Sequence, residues 1–129
     1  MMAQQLPLQL DWPEDYSADA FVCGAATQVA YYMVMRWPDW PEHTLAVSGA
    51  PGAGKTHLAQ MVAQKSGTVI TPADRLESLS WRTAKHFIVE DGPPSRKGET
   101  TLFHVINWVR ECGGTLLLTG QTAPAHWNL

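Results

Sequence analysis

Eight residues near the middle of the chain have the composition of a phosphate-binding loop. The run from Gly49 to Thr56, GAPGAGKT, fits the pattern G-x-x-x-x-G-K-[ST]. Glycines let backbone N–H groups approach an anion closely, and a helix that starts at the loop adds a partial positive charge. In such a loop Lys55 lies against the β- and γ-phosphates, and the Thr56 hydroxyl holds Mg²⁺. The residues predicted to bind ADP or ATP here are Gly49, Pro51, Gly52, Ala53, Gly54, Lys55, Thr56 and His57.

Two carboxylates at the end of a later apolar run fit the same chemistry. The run 87–91, FIVED, ends in Glu90 and Asp91. A strand that ends in acids beside a phosphate loop brings negative charge to the place where Mg²⁺ and an attacking water would lie. We assign Glu90 to the metal together with Thr56, and Asp91 to the water, although the residue types alone also permit the reverse. A polar strand cap is the alternative interpretation.

A neutral polar residue follows the last apolar run. The segment 119–121 closes the run TLLLT, and the Gln121 amide there could contact the γ-phosphate or its water. Gln121 therefore joins Glu90 and Asp91 as a predicted catalytic residue. A plain turn would explain the same residues.

The elements around these residues have the pattern needed to position them. Short apolar runs predict four strands, at residues 45–48, 68–71, 86–89 and 115–119. Helical spacing of apolar residues predicts helices between them, at residues 24–37, 57–65, 72–81 and 100–112. Strands that alternate with helices predict an α/β fold with a parallel sheet covered on both faces.

The last helix carries the most detailed of these predictions. Thr100 can cap its start, and Gly113 follows its end. The preceding segment 92–99, GPPSRKGE, is predicted to be a polar surface loop. The predicted buried face of the helix consists of Leu102, Phe103, Ile106 and Val109.

Length and charge exclude several classes of protein. With 129 residues the chain can form one domain, and its formal net charge of -3 provides no global positive field for nucleic acid. No apolar run approaches the length of a membrane span, and the first residues do not form a signal peptide, so we expect a cytoplasmic protein. Cys23 and Cys112 are far apart and the five histidines lack ligand spacing, which predicts neither a disulfide nor a zinc site.

The order of the motifs resembles that of the AAA+ class of P-loop NTPases. Residues 19–59, together with VED at 89–91 and LLLTGQTAPAHW at 116–127, are similar to the nucleotide-binding domain of the replication initiator DnaA and its shorter homologue Hda, particularly the Hda-type proteins of alphaproteobacteria. The resemblance implies an AAA+ base domain over residues 21–129. Because the chain ends soon after the fourth predicted strand, we expect that domain to be truncated before its fifth strand and lid.

The same resemblance assigns further roles and reveals departures. It places a segment like 21–24 beside the adenine, so Phe21 and Val22 are carried over as base contacts. It places Gln121 at the sensor 1 position, where the class typically has Asn or Asp. The family usually has Asp-Asp where this chain has Glu90 and Asp91, which alters the reach of the first acid toward the metal.

Residues 1–20 are predicted to be an extended N-terminal arm. The segment QLPLQL resembles the sliding-clamp-binding motif at the N-terminus of Hda. In an extended peptide of this kind the glutamine makes polar contacts while alternate leucines fill an apolar pocket. The predicted partner-binding residues are Gln5, Leu6, Leu8 and Leu10.

Arm and domain together imply a DnaA-related regulator of replication initiation. Such a protein binds ADP or ATP with Mg²⁺, docks on the DNA-loaded sliding clamp and promotes inactivation of the ATP-bound initiator. It would lie at the nucleoid through the clamp, without sequence-specific DNA binding of its own, and its own ATP turnover would be weak. A helicase-loader-like AAA+ ATPase and a stand-alone P-loop kinase are the alternatives, and homo-oligomerisation is left open.

Overall fold

In the described part of the computed structural model, five parallel strands form one sheet. The structure describes residues 21–24, 28–50, 52, 54–92 and 94–121, and for residues 21–24 the backbone only. The strands are β1 (Phe21–Gly24), β2 (Thr44–Ser48), β3 (Ile70–Pro72), β4 (His86–Gly92) and β5 (Thr115–Gly120). Their order across the sheet is β1-β2-β5-β4-β3, and every neighbouring pair is parallel.

Among the described residues, three α-helices and three short 3₁₀ helices connect the strands. The α-helices are α1 (Gln28–Met35), α2 (Lys55–Ser66) and α3 (Arg96–Cys112). The 3₁₀ helices cover Pro41–His43, Ala73–Ser78 and Trp81–Thr83. Among the described residues, no helix is long and apolar enough to cross a bilayer.

Successive side chains along a strand point to opposite faces of the sheet, so the apolar side chains form two separate cores. Helices α1 and α2 cover one face of the sheet, and α3 with the 3₁₀ helix at Ala73–Ser78 covers the other. The first core contains the strand residues Leu45, Val47, Ile88 and Leu117. The second contains Ala46, Phe87, Val89, Leu116 and Leu118. The prediction of a parallel sheet covered on both faces is confirmed.

Several predicted boundaries are wrong by a few residues. Helix α1 covers Gln28–Met35 and is shorter than the predicted helix over 24–37. The chain turns directly after it, at residues 36–38, and Pro38 lies in that turn. The helix predicted over 72–81 is two 3₁₀ segments, and β3 starts two residues later than predicted. Strand β1 was not predicted, because the helix was expected to begin at Gly24, and a short apolar run does not by itself distinguish a strand from a buried helix segment. The arm at residues 1–20 lies outside the described residues.

Helix α3 corrects a larger part of the sequence interpretation. It begins at Arg96, and the Ser95 hydroxyl caps it by accepting a hydrogen bond of 3.1 Å from the Gly98 N–H, so Thr100 is not the cap. Gly98 is buried, and a Cβ on it would lie 3.1 Å from Pro94, so the end of the segment predicted as a polar loop forms the first turn of α3, where Gly98 is packed. Phe103 is 63% exposed, and Val105 takes its place on the buried face.

Candidate nucleotide-binding site

The carboxyl ends of three strands meet at one edge of the sheet. Because all strands are parallel, the loops after β2, β4 and β5 leave from the same side. Strand β5 lies between β2 and β4, so the loop after β2 and the acids of β4 flank it. The predicted chemistry therefore falls at one place in the fold.

The phosphate-loop sequence joins β2 to α2, and two of its glycines have backbone angles that favour glycine. Gly52 and Gly54 have φ angles of +84° and +98°, a region that residues with a Cβ avoid. A Cβ at either position would meet nothing within 4 Å, so the backbone conformation and not crowding calls for glycine. Helix α2 starts directly after Gly54, which leaves its first N–H groups directed at the loop. Pro51 and Ala53 lie outside the described residues.

Lys55 turns back across the loop that precedes it. Its side chain is buried, with 6% of the residue exposed, and Nζ donates a hydrogen bond of 2.7 Å to the Gly49 carbonyl. A buried ammonium needs hydrogen-bond acceptors or an opposite charge. The position inside the curve of the loop is where phosphate oxygens would meet it.

The two residues predicted to bind the metal touch each other. The Thr56 hydroxyl, in the first turn of α2, donates a hydrogen bond of 2.8 Å to Oε2 of Glu90 on β4. A hydroxyl and a carboxylate are hard oxygen donors, and Mg²⁺ in nucleotide sites takes one or two such ligands together with phosphates and waters. The donor set therefore fits Mg²⁺. The described residues contain no group of three or more His, Cys, Asp or Glu side chains that could hold a metal alone.

Asp91 and Gln121 lie at the same edge, on either side of the β4–β5 contact. Asp91 is exposed, has a φ of +69°, and donates its backbone N–H to the Thr119 hydroxyl at 3.2 Å. Gln121 is exposed and follows Gly120, whose carbonyl accepts a hydrogen bond of 3.0 Å from the Gly49 N–H. The catalytic roles predicted for both residues stay predictions.

The remaining residues predicted to bind the nucleotide are more dispersed. His57 is exposed in the first turn of α2, and its ring centroid lies 6.3 Å from that of Tyr31 on α1. Phe21 and Val22 belong to β1 and pair with Leu45 and Ala46 of β2. The register places Gly24, opposite Ser48, nearest the loop, and the adenine contacts of Phe21 and Val22 stay predictions.

The sequence did not indicate two contributors to this edge. The hydrogen bond from Asp91 to Thr119 and the aromatic contact between Tyr31 and His57 both join residues that are distant in sequence. The only available signals were the position of Thr119 at the end of an apolar run and the spacing of Tyr31 on a helix. Neither identifies a partner.

Comparisons with known proteins identify the fold. No protein-family model and no curated protein matches the sequence. Solved structures do match: a DNA replication initiation factor (18% identity, TM-score 0.62, 90% of this chain and 44% of that one) and AMPPCP-bound DnaA from Aquifex aeolicus (18%, 0.63, 92% and 45%). Domain III of DnaA from Thermotoga maritima also matches (20%, 0.58, 89% and 60%).

These likenesses confirm the predicted fold: the chain has the α/β fold of the matched DnaA structures. The chain spans less than two thirds of the length of each of the three matched structures.

Proposed function

We propose that this chain, whose fold is that of a DnaA-type AAA+ base domain, binds an adenine nucleotide with Mg²⁺ and regulates the initiation of chromosomal replication. The observation that carries the nucleotide-binding half is the joint geometry of Lys55, Thr56 and Glu90 at the carboxyl edge of the sheet. A matched structure of the same fold is a DnaA bound to AMPPCP, which supports a triphosphate nucleotide as the class of ligand.

Each of these side chains has a separate task in the proposed site. Lys55 exchanges the Gly49 carbonyl for phosphate oxygens as acceptors of its N–H groups, while the start of α2 adds its partial positive charge. Thr56 and Glu90 supply oxygen ligands to Mg²⁺, which when bound neutralises phosphate charge. Asp91 is exposed to solvent at the same edge and orients a water.

The regulatory half of the proposal rests on the arm and on the fold. Gln5, Leu6, Leu8 and Leu10 lie outside the described residues, and their sequence resembles a sliding-clamp-binding motif. A nucleotide-binding domain of the DnaA type, tethered to the clamp by such an arm, would meet the ATP-bound initiator and promote its inactivation. In this proposal the bound nucleotide sets the conformation of the chain, and its own turnover is secondary.

Calorimetry with Mg²⁺ and AMPPCP tests the nucleotide site. We expect Lys55→Ala to weaken binding about 10- to 100-fold, the range for losing hydrogen bonds to a charged group. Lys65→Ala is the matched control, because Lys65 is exposed in the last turn of the same helix. Equal affinity of the Lys55→Ala variant and the unaltered chain would contradict the site.

Titration of the full chain onto a bacterial sliding clamp tests the arm. The double variant Gln5→Ala, Leu6→Ala should lose binding because it removes the polar contact and one apolar anchor. Gln4→Ala, one position before the motif, should bind like the unaltered chain. Clamp binding that survives the double variant would remove the docking part of the proposal without touching the nucleotide site.

A further inference from the structure

Strand β4 contains one extra residue beside the candidate site. Val89 pairs with Leu118 and Gly92 pairs with Gly120, so Glu90 and Asp91 together lie opposite a single residue of β5, Thr119. This is a β-bulge, and bulges are rare in parallel pairs and frequent next to functional sites. The bulge contains both acids that the sequence analysis assigned to the metal and the water.

The extra residue forces an uncommon backbone conformation on Asp91. Its φ of +69° lies in the left-handed region, which side chains with a Cβ seldom adopt, although Asp tolerates it better than most. A residue in this conformation persists when the surrounding structure holds it. Asp91 is exposed, so its own side chain is not buried in packing that could provide this support.

Thr119 provides the support through its side chain. The Asp91 N–H donates to the Thr119 hydroxyl at 3.2 Å, across the bulge. Thr119 is 1% exposed and lies in the central strand, where its backbone pairs with Val47 of β2. Its hydroxyl thus accepts from a backbone N–H inside the bulge, where the regular β4–β5 register is interrupted.

The bulge gives the two acids different surroundings. Glu90 is half-buried and reaches Thr56 on α2, whereas Asp91 is exposed. The next residue of β5 holds the other half of the site, because the Gly120 carbonyl accepts the Gly49 N–H at 3.0 Å. The last two residues of β5 therefore fasten both the acidic bulge and the start of the phosphate loop.

We propose that Thr119 is a positioning residue of the nucleotide site, which holds the β4 bulge so that Glu90 faces the metal position and Asp91 faces the water. The proposal rests on the function proposed above and deepens it. It also answers which acid takes which role. Glu90, joined to Thr56, is the metal acid, and Asp91, kept free by the bulge, orients the water.

Three substitutions in β5 separate positioning from general stability. Thr119→Val removes the hydroxyl at nearly constant volume, and Thr119→Ser retains it. Thr115→Val is the matched control: Thr115 is also 1% exposed, and its hydroxyl bonds Trp37 Nε1 and His86 Nδ1 at 2.9 Å each, at the opposite end of the strand. Both valine variants lose a buried hydroxyl that is hydrogen-bonded, but only one lies at the site.

Two readouts on the full chain decide the proposal. Amide exchange followed by NMR should accelerate at Asp91 in Thr119→Val and return toward the original rate in Thr119→Ser. Calorimetry should show AMPPCP binding in the presence of Mg²⁺ weakened about 10-fold in Thr119→Val, the effect typical of removing a support behind a metal ligand. Thr119→Ser and Thr115→Val should bind like the unaltered chain.

The outcomes distinguish this inference from the proposed function. If the unaltered chain binds the nucleotide and Thr119→Val binds it equally well, Thr119 has only a structural role and the inference is overturned while the function stands. If Thr115→Val weakens binding as much as Thr119→Val, the effect is general and the inference is again overturned. If the unaltered chain binds no nucleotide, the proposed function fails and the inference fails with it.

Discussion

Polar groups differ between the two ends of the parallel strands: the amino edge, where the strands begin, and the carboxyl edge, where they end. At the amino edge, Trp37 donates to the Thr115 hydroxyl, His86 bonds the same hydroxyl, and the Trp37 and His86 rings meet edge to face at 5.0 Å. At the carboxyl edge, Lys55 bonds a loop carbonyl and the Thr56 hydroxyl contacts Glu90. At the amino edge, aromatic rings contact each other and bond the same hydroxyl. At the carboxyl edge, the charged side chains of Lys55 and Glu90 bond groups that a ligand can replace.

One glycine at each edge is needed for a different physical reason. A Cβ on Gly114, just before β5, would lie 1.8 Å from the Lys85 carbonyl oxygen, while one on Gly54 would meet nothing within 4 Å. Gly114 is therefore required for packing and Gly54 for its backbone angle. Gly113, directly before Gly114, also has a positive φ and would meet nothing within 4 Å, so the contrast belongs to these two positions and not to every glycine of each edge.

Substituting Gly114 and Gly54 should give the largest difference in the free energy of unfolding between the two edges. We expect Gly114→Ala to lower the free energy of unfolding by about 3 kcal/mol or more, because the backbone of Lys85 must move. Gly54→Ala should cost about 1 to 2 kcal/mol from backbone strain alone. Urea denaturation of both variants measures the difference, and a larger loss for Gly54→Ala would contradict the assignment of packing to Gly114 and of the backbone angle to Gly54.

Removing the charge of Glu90 should weaken ligand binding. It should lower the stability of the chain less than the glycine substitutions do. Glu90→Gln keeps the side-chain length but offers Mg²⁺ a neutral oxygen, so we expect the Mg²⁺-dependent part of AMPPCP affinity to fall about 10-fold. Glu77→Gln, at an exposed position of the 3₁₀ helix Ala73–Ser78, is the control. Calorimetry at several Mg²⁺ concentrations gives the answer, and an unchanged Mg²⁺ dependence would exclude Glu90 as a ligand.

Relieving the strain at Asp91 should stabilise the chain. Glycine adopts a φ of +69° without penalty, so Asp91→Gly is expected to raise the free energy of unfolding by about 1 kcal/mol. Urea denaturation measures this, with Asp74→Gly at an exposed position in a 3₁₀ helix as the control that should not gain stability. A loss of stability in Asp91→Gly would show that the Asp91 side chain itself supports the bulge.

Protonation at the amino edge should have the smallest effect. Burial, and then the nearby charge of Lys85, lower the pKa of His86 below its ordinary value of 6.5. The unfolded chain therefore binds this proton more readily, so the stability contributed by neutral His86 is complete above pH 6.5 and declines as the pH falls below it. Urea denaturation from pH 7.5 to 5.5 should show a shallower pH dependence in His86→Asn, and identical slopes would contradict this assignment.

The sequence predicted what is local and failed where partners are distant. The end of α2 at Gly67 depends on residues close together in the chain, and it is where the sequence places it. The start of α3 was missed because Gly98 looks like a loop residue until its packing against Pro94 is known.

The candidate site shows the same limit. The placement of Glu90 near Thr56 followed from the general geometry of parallel sheets, without knowledge of the contact itself. A one-residue bulge leaves the apolar pattern of a strand nearly unchanged, so the register shift after Val89 and the role of Thr119 could not be predicted. Phe103 was assigned to the core from its hydrophobicity, but the helix turns it to solvent.

Backbone amide shifts measured by NMR during titration with AMPPCP and Mg²⁺ test most directly whether the carboxyl edge is the ligand site. We expect the largest changes at Gly49, Gly52, Gly54 and Asp91. Gly114 and Thr115, at the opposite end of the strands, should change little. Changes confined to the amino edge, or none at saturating nucleotide, would contradict the account.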